Sequence, residues 1–232
     1  MASTVRRFDA PTEWFEERFD YISEFMHPER VENMVKVASA RTRYMTICAE
    51  NTYHSQNASA LIRHCEAFGV QDLHAVESIC RFTPNTHVVR GTDKWIDLYK
   101  YRSTESALLR LKERGYRIVA TTPHLEDTTP EDFDIAAGPF CLVFGTEHEG
   151  ISEEVKAAAD EFLRIPMCGF VESLNVSASA AIVIYQLSER LRRSNLDWRL
   201  SDNERAQLLY EWVMRSVKDA KGIMARKYGE ER

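Results

Sequence analysis

Two short stretches of the 232-residue chain concentrate the side chains able to do chemistry. In "NASALIRHCEAFG", Ala60, Leu61, Cys65 and Phe68 make an apolar helix face, with Asn57 and Arg63 nearer its edge. An arginine close to a strand-to-helix turn offers a rigid fork of N–H donors that suits a phosphate. In "IPMCGFVESLNVSASAAIVIYQL", Ser173, Asn175, Ser177 and Ser179 crowd the mouth of a helix that then turns apolar. Side chains of this type satisfy the unpaired amides of a helix start or hold a polar ligand there.

Other chemistries lack their residues. The nine glycines form neither G-x-G-x-x-G nor G-x-x-x-x-G-K-[ST], which disfavours a dinucleotide site and a P-loop. His148 stands between Glu147 and Glu149 in "TEHEG", but no second His/Cys pair at ligand spacing accompanies it, so no metal is expected. The nucleophile elbow G-x-S-x-G is absent.

The elements that must position these residues follow from periodicity. "YMTICAE", "DLHAVE", "KWIDLY", "YRIVATT", "FCLVFG" and "FLRIP" read as strands. "NASALIRHCEAF", closed by Gly69, "STESALLRLKER", capped by Ser103, and "SEEVKAAADE", capped by Ser152, read as helices, and the serine-rich stretch supplies the last core helix. Strands alternating with helices predict an α/β fold, a mostly parallel sheet with helices on both faces. Ligands of such sheets bind beyond the carboxyl ends of the strands. Glu50 and Asn51, Thr121 and Thr122, Gly145 to Gly150 and Met167 to Asn175 all fall there. Two amphipathic helices precede this region, with Trp14, Phe15, Phe19 and Ile22 as an apolar stripe for a core or a partner chain. The tail from Ser201 reads as helical, with Leu208, Leu209, Trp212, Val213 and Val217 on one side and a basic opposite side.

Composition sets the setting. No segment approaches a membrane span and no apolar run follows the first arginines, so a soluble, unexported, cytoplasmic protein is expected. Five cysteines stand singly without a C-x-x-C pair, as in a reducing compartment. The net charge of −6 argues against a polyanionic partner on average, yet charge is segregated. Residues 121–161 carry eleven Asp/Glu and one Lys, whereas 189–232 and 81–102 are each net +3. A basic surface can therefore be assembled from parts of the chain.

Taken together, "ENTYHSQNASALIRHCEAFGV", "LVFGTEHEGISEE" and "IPMCGFVESLNVSASAA" resemble the SpoU/TrmH family of SPOUT RNA 2′-O-ribose methyltransferases, over about residues 41–193. The resemblance implies a SpoU-type domain at 41–193, helical extensions at 1–40 and 194–232, and a C-terminal trefoil knot. It implies S-adenosylmethionine as cofactor, held largely by backbone groups near Thr121, Gly145, Ile165, Met167, Ser173 and Leu174. It implies methylation of tRNA, at guanosine 18 of the D-loop. The alternatives are ribosomal RNA, another tRNA position, or a catalytically silent RNA-binding module. The catalytic set it implies is Arg63, Asn57, Glu147, Ser173 and Asn175, with Asn57 positioning Arg63 and Glu147 positioning its loop. It further implies a homodimer through the knot. Arg63, Arg192, Arg193, Lys218, Lys221, Arg226 and Lys227 are the RNA-contact candidates.

Overall fold

The computed structural model describes residues 9–123, 128–146 and 149–229. In chain order its elements are α1 (Thr12–Ser23), α2 (Pro28–Ala38), β1 (Met45–Glu50), α3 (Ser55–Phe68), β2 (Asp72–Val76), α4 (Thr86–Val89), β3 (Asp97–Tyr101) and α5 (Thr104–Glu113). There follow β4 (Arg117–Thr121), β5 (Phe140–Phe144), α6 (Glu153–Ala158), β6 (Glu161–Leu163), α7 (Val176–Arg193), α8 (Asp202–Ser216) and α9 (Ala220–Tyr228). Thr42–Trp198 makes one unit, and residues 9–41 with 199–229 make a second.

In the first unit the strands pair in parallel in the order β3-β2-β1-β5-β4-β6. Strand residues alternate faces. Met45, Ile47 and Ala49 of β1, with Phe140, Leu142 and Phe144 of β5, join the apolar faces of α3 and α7 in one cluster. Cys48, Cys141 and Val143 point the other way, into a second cluster with Ala107, Leu108 and Leu111 of α5 and Val155 of α6. Burial on both faces is why the strands read as nearly continuous apolar runs.

Local signals stop and start the helices as expected. Gly69 closes α3 in the left-handed region at φ 84°, where a side chain would clash with its own backbone. Ser103 and Ser152 accept from the amides of Ser106 and Val155. Several boundaries differ from the sequence reading, among them β6, which spans Glu161–Leu163 and not 162–166, and α6, which ends at Ala158. β3 begins at Asp97, after a 3-10 turn over Thr92–Lys94, and α7 begins at Val176 with Asn175 as its cap. The tail is two helices, because Val217 is extended and Asp219 adopts a left-handed φ of 56°. The four-residue α4 was not expected, being too short for a periodic pattern; the Asn85 side chain starts it by accepting from His87 N.

β6 has backbone partners on both sides. Leu163 O accepts from Thr122 N (3.1 Å) on one. On the other, Phe162 O accepts from Thr128 N (3.1 Å) and Arg164 N donates to Thr128 O (3.0 Å). The end of β6 thus runs between two pieces of chain, at 122 and 128, that the backbone joins covalently.

The second unit has its own core, in which Phe15, Ile22, Met34, Trp212 and Val213 are buried. Trp14 and Phe15 both meet the Tyr210 ring. A capping box starts α8, Ser201 Oγ accepting from Glu204 N while Glu204 Oε2 accepts from Ser201 N.

Candidate active site

Beyond the carboxyl ends of β4, β5 and β6 lies a cavity of about 560 Å³. Thr121 and Thr122 line it from β4, Gly145 and Thr146 from the end of β5, Arg164 and Ile165 from the end of β6, and Met167 and 173–176 from the approach to α7. The six residues singled out for the cofactor, Thr121, Gly145, Ile165, Met167, Ser173 and Leu174, all face it. Thr121 Oγ1 donates to Val143 O (2.9 Å), so its hydroxyl proton is used by the sheet.

The wall between β5 and α6 is a tight backbone turn. Thr146 N donates to Gly150 O (2.8 Å) and Gly150 N to Thr146 O (3.2 Å). A Cβ on Gly145 would lie 2.1 Å from the Gly150 carbonyl group. Glycine is required there by close approach of two main chains. The far end of the turn is fixed by Glu50, a carboxylate only 1% exposed. Its Oε1 accepts from Thr104 Oγ1 (2.5 Å) and Ser152 Oγ (2.7 Å), and its Oε2 from Ser152 N (3.0 Å). Glu50 therefore ties β1 to the starts of α5 and α6.

Asn175 caps α7, its Oδ1 accepting from Ser177 N (2.8 Å) and Ser177 Oγ (2.7 Å). Its Nδ2 donates to Asn57 Oδ1 (3.3 Å), which joins the mouth of α7 to the buried Asn57 on α3. Ser173 was expected to help satisfy this helix start; it makes no such bond among the described residues, and faces the cavity instead. Arg63, two turns along α3, is exposed, and its Nη1 donates to Val88 O of α4 (3.0 Å). Burial and the Arg63 charge push neighbouring His64 below the ordinary histidine range, and a backbone hydrogen bond with Ser177 opposes them. Glu147 and His148 lie outside the described residues.

The remaining candidates are cationic. Arg192 pairs with Glu189 (2.5 Å) and donates to Phe68 O, and Arg193 lies 3.5 Å from Glu189. Lys218 and Lys221 are exposed, Arg226 is 3.9 Å from Asp219, and Lys227 sits 3.8 Å over the Tyr21 ring. Among the described residues no group of three or more His, Cys, Asp or Glu is placed to hold a metal ion, and no helix is long and apolar enough to cross a membrane.

The mouth of α7 is open on one side. Ala180, Val183, Ile184 and Leu187 are buried, whereas Ala178, Ile182 and Tyr185 on the opposite side are exposed, as are Phe170, Val171 and Leu174 before it. The sequence reading also did not assign Glu50 to the site or place Lys156 at the cavity, where it pairs with Glu153 at 2.6 Å. Glu50 was visible as a polar strand end, but its link to Ser152, 102 residues on, exists only once β1 and β5 are neighbours.

A model of the SpoU rRNA methylase family matches residues 44–185, which span all six strands and the start of α7. The chain belongs to this family. The tRNA (guanosine(18)-2′-O)-methyltransferase of Borreliella burgdorferi is 39% identical over 202 residues, 87% of this chain and 92% of that protein. The crystal structure of the Aquifex aeolicus TrmH/SpoU tRNA modifying enzyme superposes with a TM-score of 0.72 at 30% identity, covering 82% of this chain and 98% of that one. The SpoU methyltransferase AviRb of Streptomyces viridochromogenes, solved with AdoMet, shares the fold at a TM-score of 0.57 and 20% identity, over 69% of this chain and 62% of that one. The cavity of this SpoU family member thus sits on the strand ends of the matched segment.

Proposed function

We propose that this SpoU methyltransferase transfers a methyl group from S-adenosylmethionine to the 2′-oxygen of a tRNA ribose, at guanosine 18 of the D-loop. The observation that carries the reading is the cavity beyond β4, β5 and β6, with Asn57 and Asn175 joined beside it. Its volume lies in the range of small-molecule sites. Its walls combine backbone around Gly145 and Gly150, apolar Ile165, Leu174 and Val183, and the Ser173 hydroxyl, which suits a nucleoside carrying an amino-acid chain and no diphosphate. The named specificity of the Borreliella burgdorferi relative supports the RNA target.

When bound, S-adenosylmethionine supplies a methyl group activated by a sulfonium centre. The acceptor would be the ribose 2′-oxygen, which would have to lose its proton as it takes up that methyl group. This chain's residues align the reactants. Arg63 grips a substrate phosphate and orients the hydroxyl; a guanidinium, always protonated, serves as donor and not as base. Asn57 and Asn175 hold α3 against α7, so that Arg63 and the cavity keep one spacing. Glu147 is assigned the role of positioning the loop beside Arg63.

The run of β6 between Thr122 and Thr128 supports a trefoil knot formed as the chain continues into α7. The exposed apolar Phe170, Val171, Leu174, Ile182 and Tyr185 support a homodimer through that region, since such patches are rarely left to water. We divide the chain functionally into a catalytic segment, 41–193, and helical extensions, 1–40 and 194–232. Arg192, Arg193, Lys218, Lys221, Arg226 and Lys227 contact the tRNA backbone. Five free thiols suit a cytoplasmic enzyme.

The test is incubation with methyl-labelled S-adenosylmethionine and unmodified tRNA, with nucleoside mapping by mass spectrometry. A single 2′-O-methylguanosine at position 18 is expected. Label in ribosomal RNA only, at another tRNA position, or in no RNA would overturn the assignment.

A further inference from the structure

The carboxyl edge of the sheet has two halves. The cavity occupies the β5-β4-β6 half. The β1-β2-β3 half carries α4 and the loops leaving β2 and β3, drawn from the net-positive segment 81–102.

This half is built onto α3. The fully buried Ser59 accepts from Asn85 N (2.7 Å) and donates to Ser55 O (2.7 Å), and Asn85 in turn caps α4. The last turn of α4 supplies the Val88 carbonyl that receives Arg63, and Arg90 follows at once, in the left-handed region at φ 49°. Asn51, also left-handed at φ 48° and buried, holds the loop after β2 by accepting from Ile79 N (2.9 Å). These anchors fix the backbone from which exposed Arg81 and Arg90 project, and Arg102 is exposed at the end of β3.

Ion pairing separates these arginines from several others in the unit. Arg43, Arg110, Arg114, Arg117 and Arg192 each lie within ion-pair distance of a carboxylate. Arg63, Arg81, Arg90 and Arg102 have no such partner among the described residues, although acids outnumber bases in the chain. Glu77, just after β2, is engaged by Lys100 (2.7 Å). Unpaired guanidiniums on a fixed backbone match an extended polyanion, whose binding releases condensed counterions.

Resting on the reading that this chain acts on RNA, we propose that α4 and the loops after β2 and β3 form a track for the sugar–phosphate backbone, with Arg81, Arg90 and Arg102 each neutralising a phosphate. The track leads past Arg63 toward the cavity. It also places α4 as the support that holds Arg63 at the junction of the two halves.

The experiment measures binding of unmodified tRNA against salt concentration by fluorescence anisotropy. The variant is Arg81→Gln/Arg90→Asn/Arg102→Gln, with asparagine at 90 because it tolerates the left-handed backbone. Three lost phosphate contacts should make the slope of log K against log[salt] shallower by about 2 to 3, and weaken binding about 100-fold at 0.1 M salt. Calorimetry with S-adenosylmethionine should give the wild-type affinity. A control that removes two cations from α5, Arg110→Gln/Lys112→Gln, should keep the wild-type slope. An unchanged slope in the triple variant, or an equal fall in the control, overturns the track while leaving the methyltransferase reading in place. Wild-type protein that binds no tRNA sinks that reading, and the track with it. Should the triple variant lose cofactor binding, the pair Arg81→Gln/Arg102→Gln carries the same test, with an expected slope change of about 1.5 to 2.

Discussion

Gly145→Ala is the sharpest probe of the cavity wall. The added methyl would sit 2.1 Å from Gly150 C and O and 2.3 Å from Ile151 N, all main-chain atoms, while ordinary contact begins at 3.4 Å. The turn must therefore open by about 1.3 Å, since no side chain can swing aside to absorb the clash. That separation breaks the two backbone bonds between Thr146 and Gly150, each worth about 0.5–1.5 kcal/mol. A stability loss of about 2 kcal/mol follows, small enough to leave the parallel sheet folded. Gly145, Thr146, Gly150 and Ile151 all line the cavity, so the same movement reshapes that wall. Urea unfolding reads the first effect, and calorimetry with S-adenosylmethionine should show at least a 10-fold loss of affinity for the second. A variant with wild-type cofactor affinity and an unshifted unfolding midpoint would refute the claim that this close approach shapes the site.

Further expectations concern single side chains. Arg63→Ala should abolish methyl transfer in single-turnover assays with cofactor affinity nearly unchanged; wild-type turnover removes Arg63 from the reaction. Glu50→Ala strands two hydroxyls and the Ser152 amide, and should cost about 3 kcal/mol in urea unfolding, against about 1 kcal/mol for Glu50→Gln. Asn175→Ala removes the α7 cap at a cost of about 1 kcal/mol, and a fall in kcat beyond what stability explains should accompany it. Burial pushes the His74 imidazole down to about 4, so between pH 6.5 and 4 the unfolded chain binds the extra proton and the native one does not. Stability is then full above pH 6.5 and falls by about 3 kcal/mol as pH drops to 4. Thermal melts across that window should show the loss, and His74→Gln should flatten it.

The parallel α/β class, all six strands and the helices with caps were legible in the sequence because they rest on local signals. Period-two and period-3.6 patterns, Gly69 after α3, and Ser103 and Ser152 before their helices need no distant partner. The strand-end residues were legible as a group for a related reason: residues leaving the carboxyl ends of parallel strands must meet at one edge, whereas the choice among them for the cofactor came from the family resemblance. Elements too short for periodicity were not, and α4 and the break before α9 came only with coordinates.

Partnerships across the sheet were decided by tertiary structure alone. Glu50 and Ser152, Asn57 and Asn175, and Ser59 and Asn85 are far apart in the chain, and strand order brings each pair together. Likewise, composition gave a net charge of −6, but only folding pairs some arginines with carboxylates and, among the described residues, leaves Arg63, Arg81, Arg90 and Arg102 without one. Residue type fixes what a side chain can donate or accept; which group it meets depends on the fold, since hydrogen bonds and ion pairs act over a few ångströms and the sequence carries no distances.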